Sequence, residues 1–500
     1  MYKKIFFILI ISNIFLFANI YKKHEVRGAW IATVANIDWP SKNLIGNNDS
    51  LINLQKAELI KYFDLFEKIK VNTVYLQIRT TCDALYRSKY EPWSMYLTGK
   101  QGEAPVNSDY DPLEFAITEA HKRNIELHAW INPYRVSLVN SDIKAFHQSH
   151  VINSHPEWII KCDSTQYRFL NPGLPEVRDY LISIVEDIVK RYDVDGIHFD
   201  DYFYPYKEYG KFNDSLTFIK YNIGFNDIIE WRKNNVNILL YKLYDTINKI
   251  KPWVKFGISP FGLSPNHNVN VQLGCDPTAW LSGFVELDTL DNFKKMPYID
   301  YILPQLYWPL ETYYLKALPN WTKPNFLNGR DLYIGHSMYL KDSTQFPKQL
   351  YLSRLNDTIK GNVYWSAKWV LNNHHGVVDS LINNYNKYYA LNPKMPWKGN
   401  YPVEPVKKIK GKNFGDKNII IWQKKYSKNE LKTYKYFVVY RSETPNISFN
   451  DPKSIFAITT DNKFIDYNIS ESKVYYYAVT ALNRIGVESI PSPLIKIKKK

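Results

Sequence analysis

Cysteine is scarce in this chain, with three among 500 residues. Cys82, Cys162 and Cys275 lie far apart in sequence and lack the spacing of metal ligands. An odd count does not indicate a disulfide framework, so we expect one bridge at most. No nucleic-acid-binding module is recognisable either, so we expect no nucleic-acid partner. The leading interpretation of the sequence requires no cofactor and no metal.

The N-terminus carries the pattern of a secretion signal. Lys3 and Lys4 precede an apolar stretch over residues 5–17, and Ala18 offers a cleavage position. The stretch is short for a membrane span, and no cysteine follows it to accept a lipid. We therefore predict a signal peptide over residues 1–18, no stable transmembrane span, and a secreted or periplasmic protein associated with the cell envelope. An uncleaved signal anchor is the alternative.

The remaining composition is basic and rich in aromatic residues. The formal charge is +15, and the chain has 40 Tyr, 25 Phe and 14 Trp. Such a charge suits a polyanionic neighbourhood such as a cell wall or an acidic glycan, or it reflects a solvated lysine-rich surface. The aromatic rings are compatible with a carbohydrate cleft and equally with core packing. The length predicts two or three domains.

A cluster of prolines over residues 392–405 predicts a stiff linker. From residue 406 to 500 the hydrophobic pattern has a period of two, which predicts strands at 418–422, 436–440 and 474–479. Residues 495–500 resemble an edge strand that ends in a charged tail. With Trp422 as a core tryptophan and Tyr475 at a tyrosine-corner position, this segment resembles a fibronectin type III domain, a small all-β sandwich.

Residues 24–391 alternate between strands and helices. The predicted strands cover residues 26–34, 71–78, 125–131, 194–199, 254–258, 299–307, 332–335 and 362–365. Eight β/α units indicate an α/β fold of the TIM (β/α)8 barrel type. The region exceeds the ~250 residues usual for this barrel, so we expect insertions at 80–110, 132–175 and 202–225. Each insertion follows a strand and therefore lies on the face that carries active sites in this fold.

The most informative segment runs from Asp195 to Pro205. An apolar strand leads into two adjacent carboxylates, Asp200 and Asp201, and then into a cluster of tyrosines. Neighbouring carboxylates repel each other, and a fold tolerates them when they are solvated, bind a metal or perform acid–base chemistry. In a barrel they would lie at the mouth, at the end of the fourth strand.

Polar and aromatic residues recur at the ends of the other predicted strands. We interpret the rings as platforms for stacking on sugars, and Gln305, which cannot titrate, as a hydrogen-bonding partner for a sugar hydroxyl. The predicted substrate-binding residues are Arg79, Trp130, Asn132, Tyr134, His198, Tyr202, Gln305, Tyr307, Trp308, His336 and Trp365.

Five motifs in order carry a family resemblance: residues 26–30, residues 77–79 with 83–86, residues 130–135, residues 195–202 and residues 301–308. Over roughly residues 24–390 the chain resembles the glycosyl-hydrolase-like family ten of bacterial envelope proteins. The resemblance implies a TIM barrel, secretion and hydrolysis of glycan strands, for some members peptidoglycan strands stripped of stem peptides. Residues 80–82 depart from the Pro- and Gly-containing turn that we would expect there.

Glycoside hydrolysis normally needs two carboxyl groups, and the sequence leaves the second one open. Asp200 is the stronger candidate. In one version Asp201 is its partner in a substrate-assisted reaction, where one acid protonates the leaving oxygen and the other orients the acetamido group of the sugar. In the other version Asp200 pairs with a distant acid, for which Asp83 is the best candidate, although Arg79 could pair with Asp83 instead.

Two other classes of function remain open at this point. A metal-dependent polysaccharide deacetylase could use His198, Asp200 and Asp201 as a partial ligand set, although an obvious second histidine pair is lacking. A non-catalytic protein that binds a cell-wall or other glycan polymer is the second alternative. It would bind strands without producing new reducing ends.

Overall fold

A computed structural model describes residues 20–286, 296–424, 426–471 and 473–498. Its first part is a closed parallel barrel. The strands are β1 (Val26–Ile31), β2 (Thr73–Arg79), β3 (Glu126–Ile131), β4 (Gly196–Phe199), β5 (Lys255–Ile258), β6 (Tyr301–Ile302, continued by Gln305–Leu306), β7 (Asp331–Ser337) and β8 (Ile359–Trp365). All eight predicted strands are confirmed.

Each strand pairs in parallel with the strands before and after it in the sequence, and the barrel closes because the last strand pairs with the first. β1 pairs with both β2 and β8, and β6 pairs with both β5 and β7. Gly257 of β5 shows how the interior is filled, since a Cβ there would lie 2.1 Å from the ring of Tyr301. Glycine on the inner face of a strand therefore makes room for a large aromatic ring in the centre of the barrel.

Helices surround the barrel and follow local sequence signals. The helix Pro112–Lys122 begins after Asp111, whose carboxylate accepts hydrogen bonds from two backbone N–H groups of the first turn, and proline occupies its first position. The principal helices are Asp49–Lys68, Pro112–Lys122, Pro175–Arg191, Ile228–Ile250, Pro277–Ser282, Leu315–Trp321, Gln345–Leu355 and Val377–Ser380. The shorter ones are Met95–Thr98, Val151–Ser154, Ser215–Tyr221, Asn268–Gln272 and Ala367–Leu371.

The three long insertions lie after β2, β3 and β4, as the sequence predicts. The insertion after β3 contains a small antiparallel sheet of Arg135–Ser137, Ile159–Lys161 and Arg168–Leu170. Because each insertion follows a strand, all three rise around the mouth at the C-terminal ends of the strands.

The C-terminal part consists of two antiparallel sheets that enclose a core around Trp422, Phe437 and Tyr475. Its strands are β9 (Lys407–Asn413), β10 (Asn418–Gln423), β11 (Tyr434–Ser442), β12 (Ile455–Thr459), β13 (Lys463–Asp466), β14 (Val474–Asn483) and β15 (Ile495–Lys498). One sheet has the order β9, β10, β13 and the other the order β12, β11, β14, β15. The hydroxyl of Tyr475 accepts a hydrogen bond from the backbone N–H of Ser470, at 2.9 Å.

This C-terminal module lies against the barrel at the N-terminal ends of its strands, opposite the mouth. The outer face of the β11 sheet packs on Leu391, and Arg484 pairs with Asp193 at 3.0 Å. Lys435 also forms an ion pair with Asp195, just before β4. The proline-rich segment is fixed as well, because the indole of Trp397 donates to Asp300 at 2.7 Å.

Two further expectations concern covalent and membrane attachment. The three cysteines are all buried and all free. Across the described parts of the chain, none of the helices has the length and apolar character that crossing a bilayer needs. The predicted signal peptide lies outside the described residues.

Candidate active site

Asp200 lies directly after β4, at the mouth of the barrel, with 5% of its surface exposed. Its Oδ2 accepts hydrogen bonds from the indole N–H of Trp130, at 3.0 Å, and from the side-chain amide of Asn132, at 3.1 Å. Burial raises the pKa of Asp200 to about 6, against the opposing influence of the Arg135 charge and of these hydrogen bonds. Donors from β3 and the loop after it therefore hold the carboxylate in place.

Asp201 lies beside it in a different environment, with 2% of its surface exposed. The hydroxyl of Tyr206 donates to its Oδ2 at 2.6 Å. Burial raises the pKa of Asp201 to about 7, and the negative charge of Asp200 adds to that rise. The Tyr206 hydroxyl and, more weakly, the nearby Gln305 side chain on β6 oppose that rise in pKa. The loop after β4 thus turns the second carboxyl group back into the site.

The two carboxyl groups therefore differ in both partners and proton affinity. Asp200 receives two N–H donors, and hydrogen bonds of this kind favour the ionised form. Asp201, next to that charge, keeps its proton to higher pH. Two neighbouring carboxyl groups whose surroundings separate their pKa values form a natural pair of base and acid.

Arg135 is a residue of this site that the sequence motif contained but that we did not single out. Its guanidinium lies over the ring of Tyr202, 4.7 Å from the centroid, and its Nη2 is buried without a hydrogen-bond partner among the described residues. A buried guanidinium N–H group without a partner is costly, so a ligand oxygen is a suitable partner. Arg135 lies five residues after Trp130, in the loop that follows the third strand, and this position at the mouth could have identified it as a site residue from the sequence.

An aromatic wall lines the same opening. The ring of Trp365 at the end of β8 lies 5.9 Å from Trp130, 6.0 Å from Trp30 and 6.2 Å from Tyr307. Trp365 and Tyr307 are only partly buried and nearly parallel, at 20°. Trp308 lies apart from this group and packs on Phe261, 5.2 Å away. Of the predicted platforms, the structure brings Trp130, Tyr307 and Trp365 together.

Asp38, in the loop after β1, contacts the backbone on both sides of this aromatic wall. Its carboxylate accepts hydrogen bonds from the Ser366 hydroxyl, at 2.6 Å, and from the backbone N–H of Ala32, at 2.7 Å. It therefore links the end of β1 to the residue that follows Trp365. Burial raises the pKa of Asp38 to about 6.

His198 does not join the carboxylates. It lies on β4, two residues before Asp200, in the interior of the barrel. There its Nε2 accepts a hydrogen bond from the indole N–H of Trp30 at 3.2 Å, and its Nδ1 lies 3.0 Å from the Tyr301 hydroxyl. Burial lowers the pKa of His198 well below its usual value. The structure thus corrects its assignment as a substrate contact. Within the described residues, no group of three or more His, Cys, Asp or Glu side chains is placed to hold a metal ion, so His198, Asp200 and Asp201 do not form the ligand set of a deacetylase.

The prediction for Arg79 also needs correction. Arg79 is fully buried and pairs with Glu91 at 2.6 Å, so its charge is balanced inside the protein and away from Asp83. It also donates to the backbone carbonyl of Asn132, so it shapes the loop that presents Asn132 to Asp200. Asp83 is buried too, and its Oδ1 accepts from the Thr80 hydroxyl at 2.6 Å. No described contact joins Asp83 to Asp200.

Two further predicted contacts lie away from the opening. Tyr134 is fully buried and packs against Phe203, 6.2 Å between ring centroids. His336 points from β7 towards the surrounding helices, where it lies 2.8 Å from the side-chain oxygen of Asn362. A polar residue at the end of a strand can face either side of the barrel wall, and the sequence did not reveal which side these two face.

A parallel barrel whose mouth holds two carboxyl groups and an aromatic wall has the architecture of a glycoside hydrolase. The chain matches the family described as glycosyl hydrolase-like 10 over residues 25–348, and it belongs to that family. It is 36% identical over 494 residues to the glycosyl hydrolase YngK of Bacillus subtilis (strain 168), covering 94% of this chain and 93% of that protein. It is 40% identical over 296 residues to the glycosyl hydrolase DigH of Escherichia coli (strain K12), covering 57% of this chain and 66% of that protein.

Proposed function

We propose that this glycoside hydrolase cleaves N-acetylated glycan strands of the cell wall, namely peptidoglycan, by a substrate-assisted reaction of Asp200 and Asp201. The observation that carries the proposal is the asymmetric carboxyl pair, with Asp200 held by two N–H donors and Asp201 protonated to higher pH. Retaining reactions that use two enzyme carboxyl groups place them about 5 Å apart on opposite sides of the bond. In the assisted route the acetamido oxygen of the sugar is the nucleophile, so no second enzyme carboxyl group has to reach the anomeric carbon, and Asp201 and Asp200 need only contact the leaving oxygen and the acetamido group.

The two carboxyl groups then have separate tasks. The ionised Asp200 accepts a hydrogen bond from the acetamido N–H of the sugar. The acetamido oxygen then attacks the anomeric carbon. Asp201 donates its proton to the leaving glycosidic oxygen, so the bond breaks as a cyclic oxazolinium ion forms. Asp201 then takes a proton from water, which opens that ring and restores both groups.

The surroundings support a sugar chain as the substrate. Trp365 and Tyr307 offer rings for stacking, and Arg135 offers a free N–H to a sugar or lactyl oxygen. Both carboxyl groups are at least 95% buried, so water has little access to them before a substrate binds. The preference for a strand stripped of its stem peptides is what the family resemblance implies for some members, and we include it in the proposal on that ground.

The proposed location is the cell envelope, outside the cytoplasm. It is supported by the signal-like pattern of residues 1–18 and by the cell-wall substrate. A variant of the mechanism in which Asp83 acts as the second carboxyl group remains a prediction. It would require the loop after β2 to open, because Asp83 is enclosed there.

The experiment is a product analysis by mass spectrometry on two substrates, intact peptidoglycan and peptidoglycan pretreated with an amidase that removes stem peptides. We expect soluble disaccharide-repeat fragments with new reducing ends from the treated polymer, unaffected by chelator. A parallel substrate that carries free amino groups in place of acetamido groups should remain intact. Cleavage of that deacetylated strand would contradict the assisted route, and absence of fragments from both wall polymers would contradict the substrate.

A further inference from the structure

The positive charge of the chain is concentrated in the C-terminal module. Residues 406–500 contain 19 basic and 8 acidic side chains, so they contribute +11 of the formal +15. The barrel and its insertions, about four times as long, are nearly neutral by comparison. A charge confined to one module acts locally, on whatever lies next to that module.

Four of these 19 basic side chains lie together on one face of the β9–β10–β13 sheet. In that sheet Ile420 and Trp422 point into the core, so their neighbours Ile419, Ile421 and Gln423 point outward. Strand register places Lys410 and Lys463 on either side of Ile421, one on each flanking strand. The same register places Lys412 beside Ile419.

The outer face is thus a basic rim around an apolar centre. Lys407, Lys410, Lys412 and Lys463 are exposed, and no ion pair within the described residues joins them to a carboxylate. Ile421 in the centre is 45% exposed. The acid on these three strands, Asp466, is buried and pairs with Arg441 at 2.8 Å.

Two exposed rings extend the surface at one end of the sheet. Phe414, in the turn after β9, is 52% exposed, and Tyr467, directly after β13, is 60% exposed. A lysine lies over each ring: Lys412 over Phe414 at 5.5 Å, and Lys417 over Tyr467 at 5.5 Å. Lysines next to aliphatic and aromatic side chains match the charged headgroups and the apolar boundary of an anionic bilayer.

The face also has a defined orientation relative to the active site. The β11 sheet, on the other side of the sandwich, packs against the N-terminal ends of the barrel strands. The lysine-rich face therefore points away from the barrel, at the end of the molecule opposite the mouth. A surface bound there leaves the mouth unobstructed and directed outward.

We propose that the outer face of the β9–β10–β13 sheet docks on an anionic phospholipid surface. The lysines contact the headgroups, and Ile421 with Phe414 enters the boundary below them. One alternative is that the lysines only prevent the edge strands from pairing with another sheet, a role that needs no anionic partner. A second alternative is binding to an acidic wall polymer, which would not require the exposed Ile421.

The test uses the chain without its predicted signal peptide, residues 19–500, and co-sedimentation with vesicles of phosphatidylcholine alone or with 30% phosphatidylglycerol. We expect binding to the anionic vesicles at least tenfold stronger than to the neutral ones, reversed by salt. The triple variant Lys410→Glu, Lys412→Glu, Lys463→Glu should lose at least tenfold in binding. The matched triple Lys42→Glu, Lys61→Glu, Lys68→Glu, on exposed lysines of the barrel, should bind as the parent does.

The variant Ile421→Ser distinguishes a bilayer from an acidic polymer as the binding partner. It keeps every lysine and should still weaken vesicle binding severalfold. Glycan cleavage in solution should be unchanged in all these variants. Their circular dichroism spectra and thermal unfolding should also match those of the parent, so that a loss of vesicle binding is not a loss of the C-terminal fold. Equal vesicle binding by both triple variants, or no binding by the parent, would overturn the proposal. Binding to purified acidic wall polymer that is indifferent to Ile421→Ser, with none to vesicles, would overturn it in favour of the polymer.

Discussion

The indole Nε1–H of Trp130 donates to Oδ2 of Asp200 at 3.0 Å, which ties the end of β3 to the first carboxylate after β4. The bond stabilises the ionised form and so lowers the pKa of Asp200 against the effect of burial. One aromatic residue of the mouth thus acts on the chemistry through its N–H group as well as through its ring.

Trp130→Phe keeps an aromatic ring and removes that donor. The pKa of Asp200 should rise, so the acidic limb of the pH–rate profile should move to higher pH by about half a unit to one unit. The kcat at the optimum should fall about tenfold. Trp308→Phe is the control, because Trp308 packs on Phe261 away from the carboxylates. An unchanged acidic limb in Trp130→Phe would show that the bond does not act on the titrating group.

The parent enzyme should have a narrow, bell-shaped pH optimum. The proposed reaction needs Asp200 ionised and Asp201 protonated, and burial raises their pKa values to about 6 and about 7. Activity should therefore rise as pH increases through the lower value and fall beyond the higher one. The measurement is kcat/KM from pH 4 to 9. Asp201→Asn should lose at least a hundredfold in rate, and its residual activity should lack the alkaline limb.

Asp201→Asn should also stabilise the fold at alkaline pH. A carboxyl group whose pKa is raised by folding binds its proton more tightly in the folded chain, so stability is lost as pH rises from about 4 towards 7. Replacement by an uncharged amide removes that loss. We expect a gain on the order of 2 kcal/mol in the free energy of unfolding at pH 8, and little change at pH 4. Thermal unfolding at both pH values is the measurement, and an equal effect at both would contradict the raised pKa.

Arg135→Ala should weaken substrate binding. Nη2 of the guanidinium is buried without a partner among the described residues, and a charged hydrogen bond to a ligand contributes about 1.5–3 kcal/mol. KM should rise tenfold or more, with a smaller change in kcat. Arg168→Ala is the matched control, because Arg168 donates to the backbone carbonyls of Thr165 and Tyr167. A KM equal to that of the control variant would remove Arg135 from the binding site.

The barrel could be predicted from the sequence because its determinants are local. Apolar runs of strand length alternate with helical spacing, and caps such as Asp111 mark where helices begin. β9, β12 and β13 of the C-terminal module were not recognised. β9, for example, is a lysine-rich edge strand with few apolar residues, so its membership in the sheet depends on its neighbours.

The site was only partly predictable, because side-chain direction depends on tertiary contacts. Asp200 follows a strongly apolar strand, and its position at the mouth follows from the fold. The inward turn of Asp201 depends on Tyr206 and Gln305, which no local pattern reveals. Arg79 and His336 are polar residues near strand ends that bind Glu91 and Asn362 within the protein.

The central claim is that Asp200 performs the chemistry, and Asp200→Asn tests it most directly. The measurement is the release of reducing ends from amidase-treated peptidoglycan by Asp200→Asn and by Asp245→Asn, an exposed helical aspartate that serves as control. With the melting temperature retained, we expect a loss of about a thousandfold for Asp200→Asn and none for Asp245→Asn. An Asp200→Asn enzyme that cleaves the glycan at the parental rate would contradict the mechanism.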